Sequence, residues 1–109
     1  MKYLENNKLY GLLGLARRAG KISFGTESSK DLIERGKAKL IIIASDASDR
    51  TKKNFEDLAR NYNIQFRIFG DIENLSKSIG QFDKAVIVIK GENFAKEMIK
   101  RIDGGEIIG

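Results

Sequence analysis

The residues best suited to chemistry are Gly25-Thr26-Glu27-Ser28-Ser29-Lys30, where a short apolar segment gives way to a helical pattern that stops at Gly36. Gly25 has no Cβ, so another molecule's backbone can approach it closely. The amides that open a helix have no partner within it and sit at the positive end of its dipole, which suits an anion, most often a phosphate. A second polar loop, residues 45–53, follows the apolar run Leu40-Ile41-Ile42-Ile43-Ala44. In sheets fed by helices, ligands gather outside the carboxyl ends of the strands. With both loops at one rim, Lys21, Lys30, Lys37, Lys39, Arg50, Lys52 and Lys53 become candidate phosphate contacts. Phe82 stands in the polar loop Gly80-Gln81-Phe82-Asp83-Lys84, and an aromatic there, with Lys84 nearby, suits stacking on an unpaired base.

Plainer readings stand beside these. Gly25-Thr26 also reads as a turn and helix start, and Asp46 as a helix cap. Lys52-Lys53, opposite Phe55 and Leu58, has the pattern of a solvated helix face, and Phe82 can tuck under its loop as an apolar lid. Residues 25–30 lack the second Gly of a P-loop before their Lys and do not form a dinucleotide-binding fingerprint.

Composition removes whole classes of chemistry. The 109 residues include no Cys, hence no disulfide framework and no thiolate metal site, and no His, hence no Ser-His or Cys-His nucleophile pair. No cofactor is expected. The one enzymatic alternative left is Mg²⁺-dependent chemistry on Asp46 and Asp49. The formal charge of +5 is uneven: residues 1–53 carry twelve Lys/Arg against six Asp/Glu, residues 54–109 eight against nine. A polarised basic half points to a polyanion partner. The apolar run at residues 9–16 is broken by Gly11 and Gly14, and Arg17-Arg18 stand where a signal peptide would be cleaved, so a cytoplasmic protein without membrane contact is expected.

The elements that must position these residues follow from periodicity. Asn6 or Asn7 is expected to cap a first helix with Leu9, Leu12, Leu13 and Ala16 inward, stopped by Gly20. Ile22-Ser23-Phe24 reads as a strand, and residues 26–35 as a helix burying Leu32 and Ile33. Leu40 to Ala44 is apolar without alternation, the pattern of a strand covered on both faces. Ser48 caps a helix with Phe55, Leu58, Ala59 and Tyr62 on one face, closed by Asn63. Residues 64–69 form the next strand. Asp71 caps a short helix ended by Gly80, residues 85–89 form a second buried strand, and Gly91 starts a last helix that ends before Gly104-Gly105. The alternation predicts one domain over residues 1–109, a three-layer α/β/α sandwich around a largely parallel sheet.

Taken in order, Leu12-Leu13-Gly14-Leu15-Ala16-Arg17-Arg18-Ala19-Gly20-Lys21, Gly25-Thr26 with Glu34-Arg35-Gly36, Ala38-Lys39-Leu40-Ile41-Ile42-Ile43-Ala44-Ser45-Asp46-Ala47 and Leu75-Ser76-Lys77-Ser78-Ile79-Gly80 resemble the kink-turn RNA-binding ribosomal-protein family. That family includes archaeal and eukaryotic large-subunit proteins, a box C/D ribonucleoprotein core protein and small bacterial members. The likeness spans residues 9–102, and the opening motif is most similar to the bacterial YlxQ-type subgroup. The resemblance implies an α/β/α sandwich with a four-stranded mixed sheet, in place of the largely parallel one, and RNA binding without catalysis. It also implies that the start of helix two enters the groove of a sharply bent RNA helix. There the family's Gly-Thr is followed by Asn-Glu, with a Lys three residues after the Glu, and this trio reads the exposed edges of sheared G·A pairs. Gly25 and Thr26 match that pattern; Glu27, Ser28 and Asp31 stand where the trio would be. Lys30 lies about 100° around the helix from position 31.

The resulting expectation is non-catalytic binding of structured RNA, kink-turn-like or ribosomal, by a monomer associated with the ribosome or another ribonucleoprotein. The expected contacts are Gly25, Thr26, Glu27, Ser28, Lys30, Lys21, Lys37, Lys52, Phe82 and Lys84. The alternative is a protein-interaction or ribosome-assembly module with weakened RNA specificity.

Overall fold

The computed structural model describes residues 2–108. Two runs with no polar residue decide its centre. Leu40–Ile43 and Val86–Ile89 are completely buried along their whole length, as strands must be when helices cover both sheet faces. Around them the described residues form, in order, α1 (Lys2–Arg18), β1 (Ile22–Phe24), α2 (Thr26–Glu34), β2 (Leu40–Ile43), α3 (Asp49–Asn61), β3 (Gln65–Ile68), α4 (Ile72–Ser78), β4 (Val86–Ile89) and α5 (Glu92–Ile108).

The strand order is β1-β4-β2-β3. β4 runs antiparallel to both of its neighbours, with Ile22 opposite Ile89 and Leu40 also opposite Ile89; only β2 and β3 are parallel. The sheet is therefore mixed, as the family resemblance implied, and the largely parallel arrangement read from strand–helix alternation alone is corrected. The last strand of the chain, β4, inserts between β1 and β2, and strand direction is not encoded in alternation itself. α2 packs on β1 and β4 and α3 on β2 and β3, while α1 lies against α4 and α5 on the other face.

Helix ends follow the expected punctuation. In α1, α2, α3 and α4 the residue past the C-cap has a positive φ: Gly20 at 71°, Gly36 at 75°, Asn63 at 57° and Gly80 at 69°. Each of the four ends carries a pair of back-bonds, as in Lys37 N to Leu32 O at 3.1 Å and Gly36 N to Ile33 O at 3.0 Å. This double bond pattern satisfies carbonyls the helix leaves open and requires the left-handed residue. Ser48 and Asp71 cap α3 and α4, accepting from Thr51 N at 3.1 Å and Asn74 N at 2.7 Å.

Three expectations fail. α1 begins at Lys2, so Asn6 and Asn7 lie inside it rather than capping it. α5 continues through Gly104 and Gly105 to Ile108; a Gly weakens a helix by only about 1 kcal/mol and need not end one. Tyr62 is the C-cap of α3 and is 45 % exposed, because the helix has stopped turning its inner face toward the sheet there.

Candidate nucleic-acid interface

β1 and β2 both run antiparallel to the strand between them, and β3 runs parallel to β2. The ends of β1, β2 and β3 and the start of β4 therefore share one rim. Residues 25–28 and 45–48 both lie there, as the sequence suggested, although β1 and β2 are not neighbours. Two strand spacings, about 9.5 Å, separate them.

Gly25 sits at the β1 end of this rim. Its amide donates to the Val86 carbonyl at 3.2 Å, which fixes it to the start of β4. Its φ of 87° and ψ of 165° belong to a region open essentially to glycine alone, and a Cβ there would meet nothing within 4 Å. The first bond of the α2 ladder is Ser29 N to Gly25 O at 3.2 Å. The amides of Thr26, Glu27 and Ser28 precede that ladder, and Gly25 has no side chain to cap them. Thr26, Glu27, Ser28 and Lys30 are exposed, so the helix start is an open anion cradle. Ser29 is fully buried beneath it, its hydroxyl without a protein partner, where a larger side chain would lift α2 from the sheet. Asp31 is exposed but turned onto Arg35 at 3.1 Å, which offsets its charge.

Cations reach the rim through Phe24. The Arg17 guanidinium carbon lies 5.2 Å from the Phe24 ring centroid and the Lys84 ammonium 5.8 Å, so one ring seats two cations beside Gly25. Arg17 also donates to the Ile79 carbonyl, tying α1 to the end of α4. Sequence reasoning placed Lys84 here but missed Arg17, Phe24 and Ser76. An Arg on α1 just before its Gly20 stop and an aromatic just after it were the available signals.

Residues 81–84 form a loop held from below by the buried Ser76. Its hydroxyl accepts from Lys84 N at 2.8 Å, and its carbonyl accepts from Gln81 N at 2.8 Å. Phe82 at the tip is 86 % exposed. The lid reading is thereby corrected: the loop is too short, and Asp83 too sharply turned at a φ of 55°, to fold the ring beneath itself. Beside Phe82 opens a groove of about 790 Å³ lined by Asp46, Ile72, Ser76, Gln81 and Asp83 among others.

Asp46 is a cap, but of a helix far along the chain: its Oδ1 accepts from Ile72 N, the first amide of α4, at 2.8 Å. Asp49 is the first residue of α3. No group of three or more Asp or Glu among the described residues is placed to hold a metal ion. Lys52 lies in the first turn of α3 at this same rim, half-buried, and Lys53 pairs with Asp57 at 3.4 Å. Lys21 and Lys37 do not belong here. Lys21 precedes β1 and Lys37 lies ahead of β2, at the opposite ends of those strands. Away from the rim, Arg67 of β3 clamps Asp103 of α5 with two bonds of 2.8 Å. That hydrogen bond, more than charge alone, holds the Asp103 carboxyl below its ordinary range and raises the Arg67 guanidinium. Burial, with the nearby Asp71 carboxylate, pushes the Tyr10 phenol up.

The same arrangement of strands and helices is found in known proteins. Residues 7–99 match the model of the ribosomal protein L7Ae/L30e/S12e/Gadd45 family. The chain belongs to this family. Its members are ribosomal-type proteins, not enzymes, so the Mg²⁺-dependent alternative does not stand. RNA-binding protein YlxQ of Enterococcus faecium is 37 % identical over 101 residues, covering 92 % of this chain and 96 % of that protein. RNA-binding protein YlxQ of Bacillus subtilis is 31 % identical over 94 residues, covering 86 % and 94 %. A solved structure of a Bacillus halodurans protein of unknown function superposes with a TM-score of 0.85 at 33 % identity, over 88 % of this chain and 97 % of that one. The Giardia lamblia 15.5 kD RNA-binding protein shares the fold at a TM-score of 0.76 and 20 % identity, over 92 % and 88 %. No helix of the described residues is long and apolar enough to cross a membrane.

Proposed function

We propose that this protein binds structured RNA, without catalysis, at the rim formed by Gly25, the start of α2 and residues 80–84. It acts as a single-domain monomer in the cytoplasm, in association with ribosomal RNA or another ribonucleoprotein. The observation that supports this most is the uncapped start of α2. Free amides, a glycine with open space above it, two cations on Phe24 and an exposed aromatic converge on one edge. Amides and cations contact phosphates, and Phe82 offers a stacking platform for a base that leaves its helix. Family membership and the RNA-binding names of its relatives agree with this reading.

Recognition on this reading rests on backbone and shape. Ser28 is too short to bridge two bases, Glu27 offers only acceptors where an Asn offers donors too, and Asp31 is occupied by Arg35. A standard kink-turn is therefore bound weakly, with little preference over the same RNA with G·C pairs in place of its sheared G·A pairs. The test compares wild type with the combined variant Glu27→Asn, Ser28→Glu, Asp31→Lys on both RNAs. The variant gains affinity and a G·A preference, each restored base contact contributing about 1–3 kcal/mol by analogy with groove readout. The Asp31→Lys change also sets two like charges one turn apart, facing Arg35, and costs about 0.2–0.5 kcal/mol of helix stability. Tight, G·A-dependent binding by wild type would refute the backbone-and-shape reading. No gain in the variant would remove the start of α2 from the RNA-reading surface.

A further inference from the structure

The lysines that fall away from the α2 rim form a group of their own. β1 starts, β2 starts and β4 ends at the opposite edge of the sheet, and a lysine stands just outside the last rung on each: Lys21, Lys39 and Lys90. The rungs there are closed by Lys90 N donating to Lys21 O and Lys39 N donating to Ile89 O, both at 2.7 Å. Three like charges thus occupy neighbouring strand positions, an arrangement that costs stability in a sheet. Lys37 lies two residues before Lys39, just past the Gly36 turn.

Nothing described offsets this charge. None of Lys21, Lys37, Lys39 or Lys90 forms an ion pair with a carboxylate of the described residues, a state shared by Lys30, Lys52 and Lys84 among others. Glu92, two residues from Lys90, is taken by Lys96 at 3.4 Å. Lys21 is also positioned. A Cβ built on Gly91 would stand 3.4 Å from Lys21 Cδ, so Gly91 leaves room for the lysine stem to lie along the chain. Adjacent strands are about 4.8 Å apart, so the three lysines spread along about 10 Å of edge.

We infer that the edge formed by Lys21, Lys39 and Lys90, with Lys37 beside it, is a second RNA-backbone contact surface, engaging a different RNA segment from the one at α2. A four-residue strand spans about 13 Å, so the two rims lie at opposite ends of the sheet. The inference rests on the proposed RNA binding, and its test separates the two. Affinity of the full chain for a plain two-turn RNA duplex without bulges is measured across salt concentrations. The set comprises wild type, a triple variant (Lys21→Gln, Lys39→Gln, Lys90→Gln), the matching Lys→Arg triple, and Thr26→Glu at the α2 start. The Gln triple lowers the log–log salt slope by about 2–3, at 0.7–0.9 per lost contact, and the Arg triple restores it. Thr26→Glu, at the proposed α2 surface, weakens binding of a bulged, structured RNA. An unchanged slope in the Gln triple overturns the second surface while leaving the α2 reading intact. So does loss of slope in the Arg triple, which would indicate a structural lesion. Absence of any RNA binding by wild type overturns both. A Gln triple that loses binding to phosphatidylglycerol vesicles but not to the duplex would reassign the edge to a membrane surface.

Discussion

Gly25→Ala, set against Gly36→Ala, separates what the fold needs from what RNA needs. Both glycines have a positive φ, 87° and 75°, and a Cβ at either would meet nothing within 4 Å. Neither substitution therefore creates a clash, and the cost of each is backbone conformation. At Gly36, in the left-handed position ending α2, that cost is about 1–2 kcal/mol. At Gly25, whose ψ of 165° places it in a region more strictly reserved for glycine, it is about 1–3 kcal/mol. Urea unfolding should show both losses as a shifted midpoint with an unchanged slope. RNA affinity should part them. The space above Gly25 is where an RNA backbone would lie against the α2 amides, and a methyl there holds it off. We expect at least a tenfold weaker complex, about 1.4 kcal/mol, for Gly25→Ala and wild-type affinity for Gly36→Ala, both measured well below their unfolding midpoints. Equal affinities for the two variants would refute the assignment of Gly25 to the interface, since both carry comparable strain.

Two further outcomes test the scaffold around the site. Asp46→Ala removes the acceptor for Ile72 N and should cost about 1 kcal/mol, whereas Asp46→Asn keeps an acceptor and should cost a few tenths; urea midpoints that fail to separate the two variants would argue against the cap. Asp103→Asn breaks the Arg67 clamp between β3 and α5 and should cost about 0.5–1 kcal/mol at pH 7, a figure kept small because the carboxylate is half exposed. Because Arg67 depresses the folded-state pKa of Asp103, the contribution is present above the unfolded value near 3.9 and fades as pH falls through the folded value. Wild type and variant should then converge in unfolding curves below about pH 4, and a constant difference down to pH 2 would contradict the linkage.

The fold was legible wherever a local rule was sufficient. Gly20, Gly36, Asn63 and Gly80 end their helices because each geometry needs a left-handed residue, and such residues are few. Ser48 and Asp71 were readable as caps for the same reason. Strand direction was not readable from the residues, because β4 enters between β1 and β2 and nothing in its apolar run records which way it points. The site was half legible. A Gly-Thr opening a helix announces an anion cradle, but a lysine's place depends on which end of its strand it precedes. Lys21 and Lys30 are nine positions apart in sequence and lie at different edges of the sheet for that reason. Arg17 acts through Ile79, 62 residues along the chain, and Ser76 through the backbone of Lys84 across the loop between them. Asp46 was recognised as a cap while its helix, starting at Ile72, was not.

The departures at positions 27, 28 and 31 fall on side chains, and everything the backbone contributes at the same place is intact. The φ of Gly25, its bond to Val86 and the three amides ahead of the α2 ladder do not depend on what residues 27 and 28 carry. Phosphate contacts position a protein on nucleic acid, and contacts to base edges give it sequence preference. On the proposed reading this chain retains the means for the first and has exchanged those for the second. Its affinity should then follow ionic strength more closely than sequence. Any selectivity left should come from the shape that lets a bent or bulged helix reach the amides while an unstacked base meets Phe82. An RNA too straight to present both would be held through charge alone.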